Sequence, residues 1–225
     1  MQIVLMGPPG AGKGTQAEGL AAASGSAHLA TGDMLRQALR DHTPLGLEAK
    51  RFLDSGTLVP DRVVLALVEE RLAGLDAGTG FVLDGFPRTM PQAQGLDSVL
   101  TRMVRPLDAV VVLDVPDEVV VARLASRRTC AQCGAVYAAA GRPARYEDDR
   151  CERCGGRLGV RSDDSAATVR RRLEVFRAET SPVVAHYEML GLVRHVDADG
   201  TVDVVRQRLV AAIGGGPGPC VGGGR

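Results

Sequence analysis

The chain has no tryptophan, few other aromatic residues and almost no lysine. Phenylalanine and tyrosine together supply only 3% of its 225 residues, and lysine occurs at Lys13 and Lys50 alone. Aromatic side chains are the surfaces on which single-stranded nucleic acids stack, so their scarcity argues against a nucleic-acid-binding protein. The formal net charge of zero argues against it as well, because such proteins usually carry a basic excess.

Long apolar runs are also missing. No segment approaches 18 consecutive apolar residues, so we expect no membrane-spanning helix. The first residues, MQIVLMG, have no basic segment and lead directly into a glycine motif, so we expect no signal peptide and a cytoplasmic protein. The 45% of apolar and 24% of charged residues are typical of a globular protein, long enough for one α/β domain with insertions.

Short apolar runs alternate with segments of helical spacing. The apolar runs predict five buried strands, at 2–7, 27–30, 81–84, 109–115 and 192–197. Helices are predicted between them, including one that Asp61 is expected to cap and a single long one at 165–189. Strands that alternate with helices indicate an α/β fold with a doubly wound, five-stranded parallel sheet.

A glycine-rich segment, GPPGAGKGT at 7–15, follows the first strand and opens a helix. Glycines let backbone N–H groups surround a phosphate, the helix start adds partial positive charge, and Lys13 reaches the β- and γ-phosphates. Gly14 intervenes where the strict pattern has a hydroxyl residue, so Thr15 supplies the hydroxyl. The predicted ATP-binding residues of this loop are Gly10, Ala11, Gly12, Lys13, Gly14 and Thr15.

Asp84 ends the third predicted strand, directly after three apolar residues. A carboxylate at the end of such a strand is typical of a residue that holds Mg²⁺ through water in P-loop enzymes. The alternative for this one residue is a turn or helix cap.

Seven blocks of sequence together resemble the adenylate kinase family over residues 1–213. They are GPPGAGKGTQA, ATGDMLR, GTLVPD, LDGFPRTMPQA, RLASRR, RSDD and VRRRL. The resemblance implies a P-loop enzyme, acting as a monomer, that interconverts ATP plus AMP and two ADP with Mg²⁺. It also implies a core at 1–29, 60–127 and 161–213, an AMP-binding helical insert at 30–59, a lid at 128–160 and a flexible tail at 214–225.

The same resemblance assigns the site residues. It implies that the catalytic cations are Lys13, Arg88, Arg123, Arg127, Arg161 and Arg172. Arg36 and Arg88 are expected on the AMP phosphate and Arg161 and Arg172 around the transferring group. Arg123 and Arg127 are expected to contact the ATP phosphates. They are four residues apart, so we expect them to share one helix face. Further AMP contacts are implied for Thr31, Thr57, Leu58, Val59, Gly85, Phe86, Pro87, Gln92, Arg161 and Arg172, and further ATP contacts for Val136, Tyr137 and Val202.

Two Cys-x-x-Cys pairs, Cys130/Cys133 and Cys151/Cys154, are separated by 17 residues, a spacing typical of zinc sites. Four thiolates without an acid or a histidine make a closed tetrahedral site, so we predict structural rather than catalytic Zn²⁺. Disulfides or four unrelated thiols are the alternatives. Gly134 and Gly155 are expected to form tight turns whose N–H groups face the thiolates. Cys220, in the glycine-rich tail, is assigned no role.

Two other functions remain open from the sequence. Relatives of this family that phosphorylate UMP or CMP usually have a smaller residue where this chain has Thr31. A zinc ribbon on a P-loop domain would instead suit a nucleic-acid-linked ATPase, and the cysteine segment does contain arginines. It also contains acidic residues that offset them, namely Glu147, Asp148, Asp149 and Glu152.

Overall fold

The computed structural model describes residues 1–137 and 150–214. The middle of the cysteine segment and the glycine-rich tail, including Cys220, lie outside the described residues. Among the helices of the described part, none is both long and apolar enough to cross a membrane.

The predicted five-stranded parallel sheet is confirmed. Its strands are β1 (Gln2–Met6), β2 (Ala27–Ala30), β3 (Phe81–Asp84), β4 (Ala109–Asp114) and β8 (Val193–Asp197). They lie in the order β2-β3-β1-β4-β8, and every pair is parallel. The chain therefore adds strands to one side of β1 first and to the other side later. Ligands of open α/β sheets bind at such a reversal, outside the carboxyl ends of the strands.

Nine α-helices surround the sheet in the described residues. They are α1 (Lys13–Ser24), α2 (Thr31–Arg40), α3 (Pro44–Ser55), α4 (Asp61–Ala73), α5 (Met90–Arg102), α6 (Asp117–Ser126), α7 (Ala166–Val175), α8 (Ser181–Met189) and α9 (Val202–Gly214). Apolar side chains from both faces of the sheet are buried against them, with Val4 and Leu83 in one cluster and Ile3 and Val82 in the other. This burial explains why the strands read as continuous apolar runs.

The single helix predicted at 165–189 is interrupted. A π-helical segment, Phe176–Thr180, separates α7 from α8. A π turn inserts one extra residue, which rotates the following helix, and such turns are frequent at functional sites. Here it lets the Thr180 hydroxyl donate to the Arg88 carbonyl oxygen at 2.9 Å.

The prediction that Asp61 caps α4 is wrong. Asp61 is already the first helical residue, Pro60 occupies the N-cap position, and no side chain caps the helix. The Asp61 carboxylate instead accepts hydrogen bonds from Thr89 and Gln92 at the start of α5. A local capping rule fails here because partners from a neighbouring helix compete for the same oxygen.

The cysteine segment forms a second, smaller sheet. Strand β5 (Arg128–Cys130) pairs antiparallel with β6 (Val136–Tyr137) and with β7 (Leu158–Gly159). Its buried side chains, Cys130, Cys151 and Leu158, form a cluster separate from the main core.

The end of α5 is a tight turn with a residue poorly suited to it. The Arg105 N–H bonds the Leu100 carbonyl and the Val104 N–H bonds the Thr101 carbonyl, the two bonds of a Schellman motif. That motif needs a left-handed residue, and here it is Val104, with φ 53° and a side chain that is 84% exposed. A β-branched residue is strained in this conformation.

Replacing Val104 by glycine is therefore expected to stabilise the protein. The left-handed conformation costs an L-residue about 1–2 kcal/mol, and the added freedom of glycine in the unfolded chain offsets about half of this. A gain of about 1 kcal/mol corresponds to a rise in Tm of about 2–4 °C for a chain of this size. Val104→Ala, which keeps Cβ, is the control and should gain much less. A Tm for Val104→Gly no higher than that of Val104→Ala would contradict the explanation.

Candidate active site

The glycine-rich loop after β1 folds around the end of its own lysine. Gly12 of this loop is the N-cap of α1 with φ 91°, and Lys13 is the first helical residue. The Lys13 ammonium donates to the carbonyl oxygens of Gly7 and Pro8, both at 2.8 Å. Burial lowers the pKa of Lys13 to about 8, against the opposing effect of Asp84. A loop that concentrates N–H groups and a desolvated ammonium is suited to bind phosphates.

Asp84 lies against the first turn of α1, at the carboxyl end of β3. A Cβ added to Gly14 would stand 3.2 Å from the Asp84 Oδ2, so a larger residue there would displace the carboxylate by a few tenths of an ångström. Burial raises the pKa of Asp84, but His28, Lys13 and Arg88 outweigh it and lower the pKa overall. An ionised carboxylate next to a phosphate-binding loop is the type of group that fits a Mg²⁺ ion.

Two cavities meet at this end of the sheet. The phosphate-loop cavity is lined by residues that include Gly7, Lys13, Pro87 and Phe176. The insert cavity is bounded by α2 and α3 and by the segment that follows α3. Among its lining residues are the predicted AMP contacts Thr31, Arg36, Thr57, Leu58, Val59, Gly85, Arg88, Gln92 and Arg172. Arg88 and Arg172 line both cavities, so two ligands bound side by side would share them.

The predicted arginines converge with two aspartates that the sequence reading left without a role. Arg127 makes a two-pronged ion pair with Asp164, whose side chain is fully buried. Arg172 pairs with Asp163 at 3.1 Å and reaches Asp164 at 3.4 Å. These carboxylates hold the guanidinium groups in place where burial would otherwise make their charge unfavourable.

The cations of the cluster outnumber its carboxylates. Burial lowers the pKa of Arg88 to about 10, and the nearby Arg172 lowers it further. Burial likewise lowers the pKa of Arg161 to about 10, with Arg36 adding to the effect. The nearby carboxylates offset this effect only in part, and phosphates are the anions that the planar guanidinium group suits best.

Arg36 and Arg161 approach each other through Asp33 on α2. Arg36 pairs with Asp33 at 2.6 Å, and Arg161 comes within 3.8 Å of the same oxygen. Arg161 also donates to the Thr129 hydroxyl at 2.9 Å, on strand β5. One acidic residue thus lies between arginines from the predicted insert and from the end of the predicted lid.

Several predicted residues are placed elsewhere. Arg123 donates to the Ala198 and Gly200 carbonyls, at 2.9 and 3.4 Å, in the loop before α9. The expectation that Arg123 and Arg127 share a helix face is wrong, because α6 ends at Ser126 and Arg127 is extended with ψ 135°. The extended backbone is what turns Arg127 towards Asp164.

The other predicted ATP contacts lie at the start of α9 and on the small sheet. The Val202 carbonyl accepts a hydrogen bond from the Gln16 amide at 2.9 Å. Val136 is half exposed on β6, while the Tyr137 hydroxyl is 3.2 Å from the Cys151 sulfur. Contacts of these residues with a nucleotide stay predictions.

The four predicted metal ligands do come together. The sulfurs of Cys130, Cys133, Cys151 and Cys154 all lie within 4.8 Å of one another. Two of the S–S separations, Cys130 to Cys154 and Cys133 to Cys151, are 3.5 Å, far too long for disulfides. A tetrahedral Zn²⁺ with Zn–S bonds of about 2.3 Å requires sulfurs roughly 3.8 Å apart, so the cluster has the right size for the ion.

The tight turns around these sulfurs form as expected, although the N–H groups that face sulfur are not those of the two glycines. Gly134 and Gly155 have positive φ, but their N–H groups donate to the Cys130 and Cys151 carbonyls rather than to sulfur. The Cys133 N–H approaches the Cys130 sulfur at 3.5 Å, and the Gln132 N–H also bonds this sulfur. A hydrogen bond from the Tyr137 hydroxyl lowers the pKa of Cys151 to about 6, which favours the thiolate form that binds metal.

Three site residues were missed from the sequence. Asp163 and Asp164 follow Arg161 after a single serine, and this acidic pair between basic residues was the available signal for an ion-pair network. Thr180, which lines the phosphate-loop cavity, carries no signal of its own because its position depends on the π-helical segment.

Comparison with known proteins agrees with this arrangement. The family model described as adenylate kinase matches residues 5–192. The chain is similar to the adenylate kinase of Carboxydothermus hydrogenoformans, with 49% identity over 91% of this chain and 95% of that one. It is 46% identical to the adenylate kinase of Syntrophobacter fumaroxidans over 95% of this chain and all of the other. Matches of this extent, on a phosphate loop joined to an arginine-lined second cavity, show that the chain belongs to the adenylate kinase family of phosphotransferases.

Proposed function

We propose that the phosphate-loop cavity holds ATP, that the insert cavity holds AMP, and that the chain transfers a phosphoryl group between them. The observation that carries the proposal is the position of Arg88 and Arg172, which line both cavities. Two nucleotides bound in these cavities would bring their terminal phosphates to the same pair of guanidinium groups. The reaction is then the reversible, Mg²⁺-dependent conversion of ATP and AMP into two ADP.

In the transfer step, an oxygen of the AMP phosphate attacks the γ-phosphorus of ATP. The bond between that phosphorus and the β–γ bridging oxygen breaks, and its electron pair stays with the departing ADP. The attacking oxygen is already ionised near neutral pH, so no side chain has to remove a proton from it. The work of the site is to align the two phosphates and neutralise their charge, which is how phosphoryl transfer is generally catalysed.

The cations have separate tasks in this scheme. Lys13 and the loop N–H groups hold the β- and γ-phosphates, and Arg36 with Arg88 holds the AMP phosphate. The transferring phosphoryl group is surrounded by Arg127, Arg161 and Arg172. Arg123, bonded to the carbonyls before α9, is assigned to the ATP side, next to Val202. Mg²⁺, held through water by Asp84, would offset the charge on the β- and γ-oxygens.

The assignment to AMP rather than to UMP or CMP has support from two sides. The relatives reported above are named adenylate kinases. Thr31, where a smaller residue favours the pyrimidine substrates, is buried and donates to the Gly85 carbonyl at 3.0 Å. A nucleic-acid-linked ATPase has no corresponding support.

We further propose that Zn²⁺ holds the small sheet together as a lid over ATP and takes no part in the transfer. In the part of it that the structure describes, the small sheet has a buried cluster of three residues, too few to fold alone, and a metal supplies the missing free energy. The salt bridge from Arg153 to Glu18 on α1, at 2.5 Å, joins this sheet to the phosphate-loop side of the core. We propose that the lid comprises residues 128–160 and the AMP-binding insert residues 30–59. We also expect the protein to be a monomer.

Arg88→Ala is expected to lower kcat/KM for AMP by about 100-fold or more, because it removes a cation that both phosphates share. Arg102→Ala is the matched control, since Arg102 is exposed on α5 and pairs with Glu69. Steady-state kinetics with ATP saturating and AMP varied would measure both variants. Turnover by Arg88→Ala equal to that of Arg102→Ala would remove Arg88 from the site.

ATP binding is expected to weaken as the pH rises through about 8. The Lys13 pKa of about 8 belongs to the free enzyme, and bound phosphates favour the protonated form. Above pH 8 the free enzyme must take up a proton to bind, which lowers affinity up to about tenfold per pH unit. Calorimetric titration with a non-hydrolysable ATP analogue at pH 7 and pH 9 measures the effect. Lys13→Arg should flatten the profile, and a flat profile in the unaltered protein would refute the role of Lys13.

Replacing Cys130 and Cys133 together by serine is expected to release the metal and lower the Tm while leaving the parallel sheet folded. Zinc binds small isolated domains with an apparent ~10–16 kcal/mol, but only part of this is lost here, because the core folds without the metal. Metal content should be measured beside activity at 20 °C and below, where residual activity is expected. Cys220→Ser is the control for removing a thiol. A metal-free protein that is folded but inactive at every temperature would show that the metal does take part in the chemistry.

A further inference from the structure

The carboxylate of Asp61 connects the start of α4 to the start of α5. A single oxygen, Oδ1, accepts hydrogen bonds from the Thr89 hydroxyl at 2.9 Å and from the Gln92 side-chain amide at 2.7 Å. The Thr89 hydroxyl in turn accepts from the Gln92 backbone N–H at 3.3 Å, as the N-cap of α5. Asp61 is therefore part of the surroundings of Gln92 rather than of its own helix end.

The side-chain amide of Gln92 is held from both ends. Its nitrogen donates to Asp61, and its oxygen accepts from the Arg88 backbone N–H at 2.8 Å. A carboxylate can only accept and a backbone N–H can only donate, so these two partners determine which end of the amide is oxygen. The reversed amide would set oxygen against oxygen and N–H against N–H. Because Gln92 is buried, such unmatched groups would be costly.

Within the part of the chain that the structure describes, each end of the amide has one hydrogen-bonding position that is not used. The nitrogen has a second N–H and the oxygen has a second lone pair, and Gln92 lines the insert cavity. The six-membered ring of adenine offers the complementary pair: its amino group donates and its N1 accepts. In a 6-oxopurine such as hypoxanthine or guanine both roles are exchanged, because O6 accepts and N1–H donates. An amide that could turn around would accommodate either type of base.

We propose that Asp61 is a positioning residue that locks the Gln92 amide in the orientation that matches adenine, and that the acceptor site thereby rejects 6-oxopurine nucleoside monophosphates. The inference rests on the proposed function, in which the insert cavity holds AMP. Asp61 acts only through Gln92 and does not touch the nucleotide. Discrimination arises because binding the wrong base requires breaking both hydrogen bonds that fix the amide.

The test is the selectivity for AMP over inosine monophosphate, expressed as the ratio of their kcat/KM values with ATP saturating. In Asp61→Ala the amide nitrogen loses its fixed acceptor, and we expect the ratio to fall about tenfold, the usual size of one hydrogen-bond contribution. The loss should appear in KM for AMP, while kcat with AMP stays close to its original value. A residue needed only for folding would lower the rates with both nucleotides and leave their ratio unchanged.

Asp61→Asn separates orientation from charge. Its Oδ1 can keep both hydrogen bonds, so the asparagine variant should retain most of the selectivity that the alanine variant loses. If Asp61→Ala does not fold, Asp61→Ser replaces it, because a hydroxyl that can donate or accept does not dictate the amide orientation. The serine variant should then show the reduced ratio.

Asp117→Ala is the matched structural control. Asp117 is the first residue of α6 and follows an N-cap proline, as Asp61 follows Pro60 in α4, but it is exposed and pairs with Arg177. Both variants remove a first-turn carboxylate from a helix. Only Asp61→Ala should change the ratio between the two nucleotides.

An unchanged AMP-to-IMP ratio in Asp61→Ala, or an equal loss of selectivity in Asp61→Asn and Asp61→Ala, would contradict the proposal that Asp61 fixes the amide orientation. Failure of the underlying function looks different. Gln92→Leu should raise KM for AMP, and if it does not, Gln92 does not contact the base and the proposed AMP site is wrong whatever Asp61 does. A raised KM in Gln92→Leu with an unchanged ratio in Asp61→Ala would support the AMP site and contradict only the proposed role of Asp61.

Discussion

The structure depends on confining several like charges in one place. Lys13 and the arginines at 88, 127, 161 and 172 reach the end of the parallel sheet from different segments of the chain. Burial lowers the pKa of Lys13, Arg88, Arg161 and Arg172 and so disfavours their charged forms. Asp84, Asp163 and Asp164 offset part of the charge but leave a surplus. That surplus is what a pair of nucleotides can neutralise. The choice of arginine matters here, because a guanidinium whose pKa falls to about 10 is still charged at neutral pH, whereas the buried Lys13 ammonium is already close to losing its proton.

Much of the fold could be predicted from the sequence because its signals are local. The five strands are apolar runs buried on both faces, and their order along the chain with helices between them nearly determines a parallel sheet. The errors have non-local causes. The π-helical segment between α7 and α8 shifts the register by one residue without disturbing the apolar spacing. The sequence pattern therefore predicted a single helix. Asp61 is a residue type that often caps helices, yet its oxygen instead accepts hydrogen bonds from side chains at the start of α5.

The site was predictable in its residue types and much less so in its pairings. The phosphate loop, the arginines and the cysteines belong to short motifs whose chemistry restricts what they can do. Which carboxylate meets which arginine depends on segments far apart in the chain, as for Arg127 and Asp164. The hydrogen bonds around Gln92 likewise involve the starts of two helices and the peptide N–H of Arg88. Sequence spacing says little about such contacts, although they decide the orientation of groups that we propose bind the substrate.

The small cysteine-containing sheet has a further consequence for motion. Within it, four sulfurs lie within 4.8 Å of one another, whereas its salt bridge to α1, from Arg153 to Glu18, lies at the exposed surface. An exposed pair contributes about 0–1 kcal/mol and is screened over a Debye length of about 8 Å at physiological salt. With Zn²⁺ bound as we propose, the sulfurs would cross-link the segment internally, and it could detach and return as one rigid body. Each closure would then give up little chain entropy, since the conformations of the individual residues would already be restricted before a nucleotide binds.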